Sequence, residues 1–159
     1  MPLSIREVFK QAGTQQVALV QDGSTFYLVL NTKLNLIDIE MMALCNKYLD
    51  QVSNYKGNAI LFTVGSGSRV FSAGLNLKKL FVDARVLKTA VDSLYAFLVK
   101  MLTLNCHTIA ICNGSTVAGG LFMCFAHERA IMANHPKFIC SLPEIPKGIT
   151  FPPGFMKLT

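Results

Sequence analysis

Acidic side chains are scarce in this chain: nine Asp and Glu stand against fifteen Lys and Arg in 159 residues, a formal net charge of +6. The positive charges are scattered, with no dense Lys/Arg run. That argues against nucleic acid, whose partners concentrate cations along a phosphate track. It leaves room for a smaller anion, such as a nucleotide-bearing ligand. No Cys-x-x-Cys pair occurs among Cys45, Cys106, Cys112, Cys124 and Cys140. Cys124 and His127 lie three apart, but no second pair follows, so the regular ligand spacing of a metal site is missing. Reduced and mostly buried thiols of an intracellular protein are expected. No apolar run reaches the ~20 residues of a membrane span. The start, MPLSIREVFKQAG, lacks an apolar signal core; Arg6 and Lys10 make it weakly amphipathic, but Glu7 spoils a transit-peptide pattern. The end, FMKLT, is not a peroxisomal tripeptide. Repeats, low-complexity tracts and linkers are also missing, so one domain is expected: a core over 14–159 behind an N-terminal extension, 1–13.

What the chain has in abundance is apolar side chain, 52% of its residues. That is high for a free-standing domain of this length and implies a large core, or apolar surface covered by a partner or by further chain.

The pattern alternates strands and helices. QQVALVQDGSTFYLVLN reads as two strands around a turn at Asp22-Gly23-Ser24. A helix begins after Asp38, a good N-cap, and carries Ile39, Met42, Cys45, Leu49 and Val52 on one face. NAILFTV is a short apolar run that suits a buried parallel strand. GSGSR is a loop, VFSAG leads into a turn, and LNLKKLF starts a short helix. From about Arg85 to Leu104, Leu87, Ala90, Val91, Leu94, Phe97, Leu98, Met101 and Leu102 keep helical period. HTIAICNG, RAIMAN and KFICSLPEI follow as extended segments, with AGGLFMCFAHE between the first two as a helix opening on glycines. This order indicates an α/β fold.

Two glycine-bearing turns, in RVFSAGLNL and IAICNGSTVAGGLF, each follow a strand-like run. The second opens a helix, whose free N–H groups favour negative charge. Two such turns aimed at one oxygen make an oxyanion hole; equally, they serve tight strand–helix packing with no ligand. GSGSR lacks the frame of a nucleotide P-loop. Among the few carboxylates, Glu144 stands between two prolines in SLPEIPKGITF, amid apolar residues. A poorly solvated carboxylate is an avid proton acceptor, whereas a loop glutamate facing water is an ordinary surface charge.

Taken together, VFSAGLNLKKL, CNGSTVAGGLFMCFAHERAIMAN and KFICSLPEIPKGITFPPG resemble, in order and spacing, three motifs of the crotonase (enoyl-CoA hydratase/isomerase) superfamily. LNTKLNLIDIEMMALC resembles the family segment in which an Asn precedes the first helix. The resemblance implies a crotonase-like spiral of ββα units, with the family's C-terminal helices apparently absent after Thr159. It implies an acyl-CoA ligand whose thioester carbonyl is held by the backbone N–H groups of Leu75 and Gly119, with Gly74, Gly120 and Phe122 against the substrate. Hydratases of the family use two glutamates; Phe122 takes the place of the first and Glu144 matches the second. A single base suits Δ3-Δ2-enoyl-CoA isomerisation, and LPEIPKGITFPPGF resembles that branch.

The same resemblance implies a role in fatty-acid oxidation, in a mitochondrion or peroxisome, without a clear targeting signal. No separate cofactor and no metal are implied, coenzyme A entering as part of the substrate. A homo-oligomer, a trimer by resemblance, or a place in a larger complex is expected. Asn76 stands where many members have Asp, a departure that bears on the support of the first turn. Lys33, Lys78 and Lys79 are candidates to meet the coenzyme phosphates. A non-enzymatic interaction subunit and another reaction on a CoA ester, such as thioester hydrolysis, stay open as alternatives.

Overall fold

The computed structural model describes residues 2–67, 69–148, 150 and 155. The chain opens on helix α1 (Ile5–Ala12), closed by a capping box in which Ser4 and Glu7 satisfy each other's backbone N–H groups. Val8 and Ala12 of α1 are buried against the sheet, so this part of the segment read as an extension packs on the domain. Strands β1 (Val17–Asp22) and β2 (Thr25–Leu30) pair antiparallel around the expected turn. Helix α2 (Ile39–Ser53) starts where Asp38 accepts the Met41 N–H at 3.0 Å. It buries Met41, Met42, Cys45, Leu49 and Val52, the expected face with Met41 in place of a partly exposed Ile39.

Three strand pairs follow, each split between two sheets. They are β3 (Ile60–Gly65) and β4 (Val70–Ser72), β5 (His107–Cys112) and β6 (Ser115–Val117), and β7 (Arg129–Met132) and β8 (Cys140–Ser141). Helices α3 (Leu77–Leu80) and α4 (Ala84–Thr103) follow the first pair, α5 (Gly119–Phe125) the second, and a 3₁₀ turn (Ile145–Lys147) the third. One sheet runs β1-β2-β3-β5-β7, parallel from β2 onward; the other runs β4-β6-β8, wholly parallel. The repeated strand–strand–helix step is therefore a spiral of ββα units.

The main core lies between the large sheet and helices α2, α4 and α5, around Leu28, Met42, Leu61, Phe71, Phe97 and Phe122. Helix α4 buries Ala90, Leu94, Phe97, Leu98 and Met101, while Leu102, on the expected face, points outward, 56% exposed. Strand β6, three residues of a Gly- and Ser-rich stretch, carries too little periodicity to be read from sequence, and its pairing with β4 and β8 defines it. Among the described residues, no helix is long and apolar enough to cross a membrane.

Candidate active site

The three strands of the small sheet run parallel and end side by side, at Ser72, Val117 and Ser141. Leu75, Gly119 and Glu144 follow these ends by two or three residues. The order β4-β6-β8 places Gly119 between the other two, on strands spaced about 4.8 Å apart. The carboxyl ends of parallel strands are where open α/β sheets bind ligands.

The first turn is held by backbone. Ile37 donates its N–H to the Gly74 carbonyl and accepts the Asn76 N–H, both at 2.8 Å. These bonds bracket Leu75, which is bridged in parallel to Ile37. In a parallel bridge the bracketed residue turns its own N–H away from the strand that holds it. The Leu75 carbonyl accepts from Leu77, but among the described residues the Leu75 N–H has no protein acceptor. Gly74 adopts φ +81°, a conformation that a side chain strains.

The second turn is built differently. The Ala118 N–H donates to the Ser141 carbonyl at 3.0 Å, tying the end of β6 to the end of β8. Ala118 itself sits at φ +54°, strained for a residue with a side chain. Its carbonyl accepts from Leu121 and Phe122, leaving the Gly119 N–H without a protein acceptor among the described residues. Two unpaired backbone donors thus occupy neighbouring strand ends, with the N-terminus of α5 behind one of them.

Glu144 stands three residues past the end of β8 and caps no helix with its side chain. One carboxylate oxygen, Oε2, is buried without a hydrogen-bond partner. A buried acceptor left unpaired is uncommon and invites a ligand as its explanation. Ile149 and residues 151–154, the rest of that motif, lie outside the described residues.

The remaining expected positions have packing work. Gly120 is pressed against β4: a Cβ there would lie 2.6 Å from the Ser72 Cβ and 2.8 Å from its carbonyl oxygen. Phe122 is 2% exposed and meets Phe155 edge to face, ring centroids 4.5 Å apart. Asn76 caps α3, accepting the Lys79 N–H at 3.4 Å, and reaches Asp38 with its side-chain amide at 3.5 Å. Lys79 is paired with Asp38 at 3.0 Å and with Glu40 at 3.5 Å. Burial works to raise the Asp38 carboxyl, but the Met41 N–H and Lys79 outweigh it and hold it below the ordinary range. Lys78 is exposed, and Lys33 lines a cleft of about 290 Å³ beside Asp38 and Asn76.

Two asparagines of the motif segments support the turns, by contacts that the sequence did not show. Asn35, buried at φ +45°, donates to the Phe71 carbonyl at 2.8 Å, while its own carbonyl accepts the Ser72 hydroxyl at 2.8 Å. That hydroxyl in turn accepts the Gly74 N–H at 3.2 Å. Asn113 donates to the carbonyls of Gly65 (2.7 Å) and Gly67 (2.8 Å), pinning the loop between β3 and β4. Both stand in segments the sequence singled out, LNTKLNLIDIEMMALC and CNGSTVAGGLF, but the distant carbonyls they bind are not visible there. A larger cleft, about 520 Å³, lies at the opposite, amino ends of β3 and β5, near His107 and Glu128. Chemistry rather than size selects the site, since among the described residues the carboxyl ends carry the two free donors and the unpaired carboxylate oxygen.

Residues 24–159 match the enoyl-CoA hydratase/isomerase family. The chain belongs to that family. Its fold is similar to human mitochondrial Δ3-Δ2-enoyl-CoA isomerase (TM-score 0.83, 20% identity, 91% of this chain and 57% of that one). An enoyl-CoA hydratase/isomerase family protein of Pseudomonas syringae is also similar (TM-score 0.82, 26% identity, 89% and 60%). So is the enoyl-CoA hydratase of Bacillus anthracis (TM-score 0.77, 20% identity, 85% and 53%). The chain thus spans between half and three fifths of the length of these family members. No curated protein sequence matches it significantly.

Proposed function

We propose that this chain carries the proton-transfer site of a Δ3-Δ2-enoyl-CoA isomerase acting in fatty-acid oxidation. The observation that supports the reading is that, among the described residues, two unpaired backbone donors and one unpaired carboxylate oxygen follow the ends of adjacent parallel strands. The thioester oxygen of a 3-enoyl-CoA sits between the Leu75 and Gly119 N–H groups. Glu144 removes a proton from C2, and the electron pair of that C–H bond moves into the thioester to give an enolate. The two donors stabilise it because they are already oriented where the charge develops. Glu144 then returns the proton at C4 as the double bond moves from C3–C4 to C2–C3. One carboxylate suffices, and no water is consumed. Phe122, apolar where a hydratase needs a second acid or base, supports isomerisation over hydration.

The test is direct. Purified chain is offered a 3-enoyl-CoA and the conjugated 2-enoyl-CoA is followed. Turnover that Glu144→Gln abolishes, in a variant of unchanged fold, supports the reading. A correctly folded chain that neither binds CoA esters nor converts them overturns it.

A second reading, an inactive interaction subunit of a larger assembly, is favoured by one observation. Strand β7 is exposed at all four positions, including Ile131 at 58% and Met132 at 42%, on the edge of the large sheet. Recovery of the protein only within a larger complex, together with no turnover, supports this second reading.

A further inference from the structure

Two buried thiols take no part in the chemistry above. Cys112 ends β5 and Cys124 lies in the last turn of α5; each is 1% exposed, and their sulfurs are 2.9 Å apart. A disulfide needs a separation of about 2.05 Å, so less than about 1 Å of approach separates this dithiol from a covalent bond. Both cysteines are free in the structure.

The two are not equivalent. The hydrogen bond from Cys124 holds the Cys112 thiol below its ordinary range, with Thr116 adding to the effect and burial opposing it. The same bond, and then burial, pushes Cys124 up. The thiolate is the reactive form, and among the described residues Cys112, unlike Cys124, lines a cleft, so Cys112 is assigned as the nucleophile and Cys124 as the resolving partner. That cleft, about 330 Å³ and lined also by Ile139 and Cys140, is the route of Cys112 to solvent, and Cys140 is exposed.

We propose that Cys112 and Cys124 form an oxidisable dithiol, a modification site for small hydroperoxides that links α5 covalently to β5. The Cys112 thiolate attacks one peroxide oxygen; an S–O bond forms, the O–O bond breaks, and the other oxygen leaves and takes up a proton, as water from hydrogen peroxide or as an alcohol from an alkyl hydroperoxide. The product is a sulfenic acid. The Cys124 sulfur then attacks the Cys112 sulfur; the S–S bond forms, the S–O bond breaks, and the hydroxyl leaves as water with the Cys124 proton. The dithiol loses two hydrogens, and the hydroperoxide is reduced by two electrons. The other cysteines are internal controls. Burial raises Cys45 to about 12, and Cys106 is also raised, chiefly by burial, so both are weaker nucleophiles at neutral pH; Cys140 is exposed and is tested by substitution.

The experiment exposes the folded chain to hydrogen peroxide, removes the excess with catalase, unfolds it in iodoacetamide and maps peptides without reductant. Lys100 and Arg129 are the nearest tryptic sites, so chymotrypsin, which cuts after Phe122, is used to part the two thiols. The expected product is a single peptide pair joined between Cys112 and Cys124, lighter by two hydrogens, with Cys45, Cys106 and Cys140 alkylated. Cys140→Ser leaves that cross-link intact. Cys124→Ser accumulates a dimedone-reactive sulfenic acid on Cys112; if that variant does not fold, the wild-type map decides alone. A disulfide that includes Cys140, or a chain whose five thiols all remain alkylatable after exposure to peroxide, overturns the proposal.

Discussion

Gly74 and Gly119 meet so closely that a Cβ on Gly74 would lie 3.2 Å from the Gly119 amide nitrogen and 2.8 Å from the Ala118 Cβ. The two turns that present free N–H groups are therefore one packed unit. Gly74→Ala adds a clash at that seam to the strain of a side chain at φ +81°, about 1–2 kcal/mol. Turnover of a 3-enoyl-CoA is expected to fall at least about tenfold, because a small shift in donor position weakens enolate stabilisation. Steady-state kinetics beside a urea midpoint check this: a stability loss with unchanged kcat argues against a shared donor unit.

Gly120→Ala tests packing rather than chemistry. The added Cβ meets the Ser72 carbonyl oxygen at 2.8 Å, a backbone atom with little freedom to move. A loss of about 1–3 kcal/mol is expected from overpacking. Gly67→Ala, with open space around its added Cβ, serves as the neutral control in the same urea titration.

Phe122 sits among core side chains and against Phe155. Phe122→Ala is expected to cost about 3–5 kcal/mol, the range of buried Phe truncations. Phe122→Glu restores the acid/base type of a hydratase but places a carboxylate among apolar rings. It is expected to unfold the chain more readily than Ala does, and not to produce hydration of a 2-enoyl-CoA. Calorimetry and a hydratase assay on the two variants decide.

His127 gives the fold a pH dependence. Its Nδ1–H donates to the Met123 carbonyl at 2.8 Å, so its Nε2 accepts from the Thr63 hydroxyl, also at 2.8 Å. Burial lowers it from 6.5 to about 4. Between those values the unfolded chain binds the proton and the folded chain does not. The neutral-state contribution is therefore complete above about pH 6.5 and is lost as pH falls toward 4, about 3 kcal/mol in all. Urea midpoints from pH 7 to 4.5 are expected to fall more steeply in the native chain than in His127→Gln. Parallel slopes would remove His127 as the cause.

Asp38 joins helix α2 to the first turn. Asp38→Ala removes the acceptor of the Met41 N–H and the partner of Lys79, and is expected to cost about 1–2 kcal/mol. Asp38→Asn keeps the cap and loses only the ion pair, in which the lysine is largely exposed, so less than half of that loss is expected. Chemical denaturation of the pair separates the two contributions.

Much of this was open to reading before any coordinates. The turn at Gly23, the cap at Asp38, the periodic face of α4 and the glycine-led start of α5 are written in short stretches of chain, where turn chemistry and side-chain period act locally. The three motifs pointed to Leu75, Gly119 and Glu144, and the structure puts them at neighbouring strand ends. Less visible were β6, too short to show a period, and α1, whose two buried residues show only against the sheet. Leu102 kept helical period yet faces outward, because the buried stripe of α4 is narrower than its apolar content.

By itself the sequence determined the class of the protein: an α/β chain with two glycine turns and a lone carboxylate in apolar surroundings. Only the tertiary structure decided that the Leu75 and Gly119 N–H groups have no acceptor among the described residues and that Asn35 holds the first turn. It alone decided that Phe122 faces Phe155, and that Cys112 and Cys124 touch across two elements. The reason is physical. Period, caps and turns depend on neighbours within a few residues, whereas an unpaired donor or a close thiol pair depends on which distant strands end together.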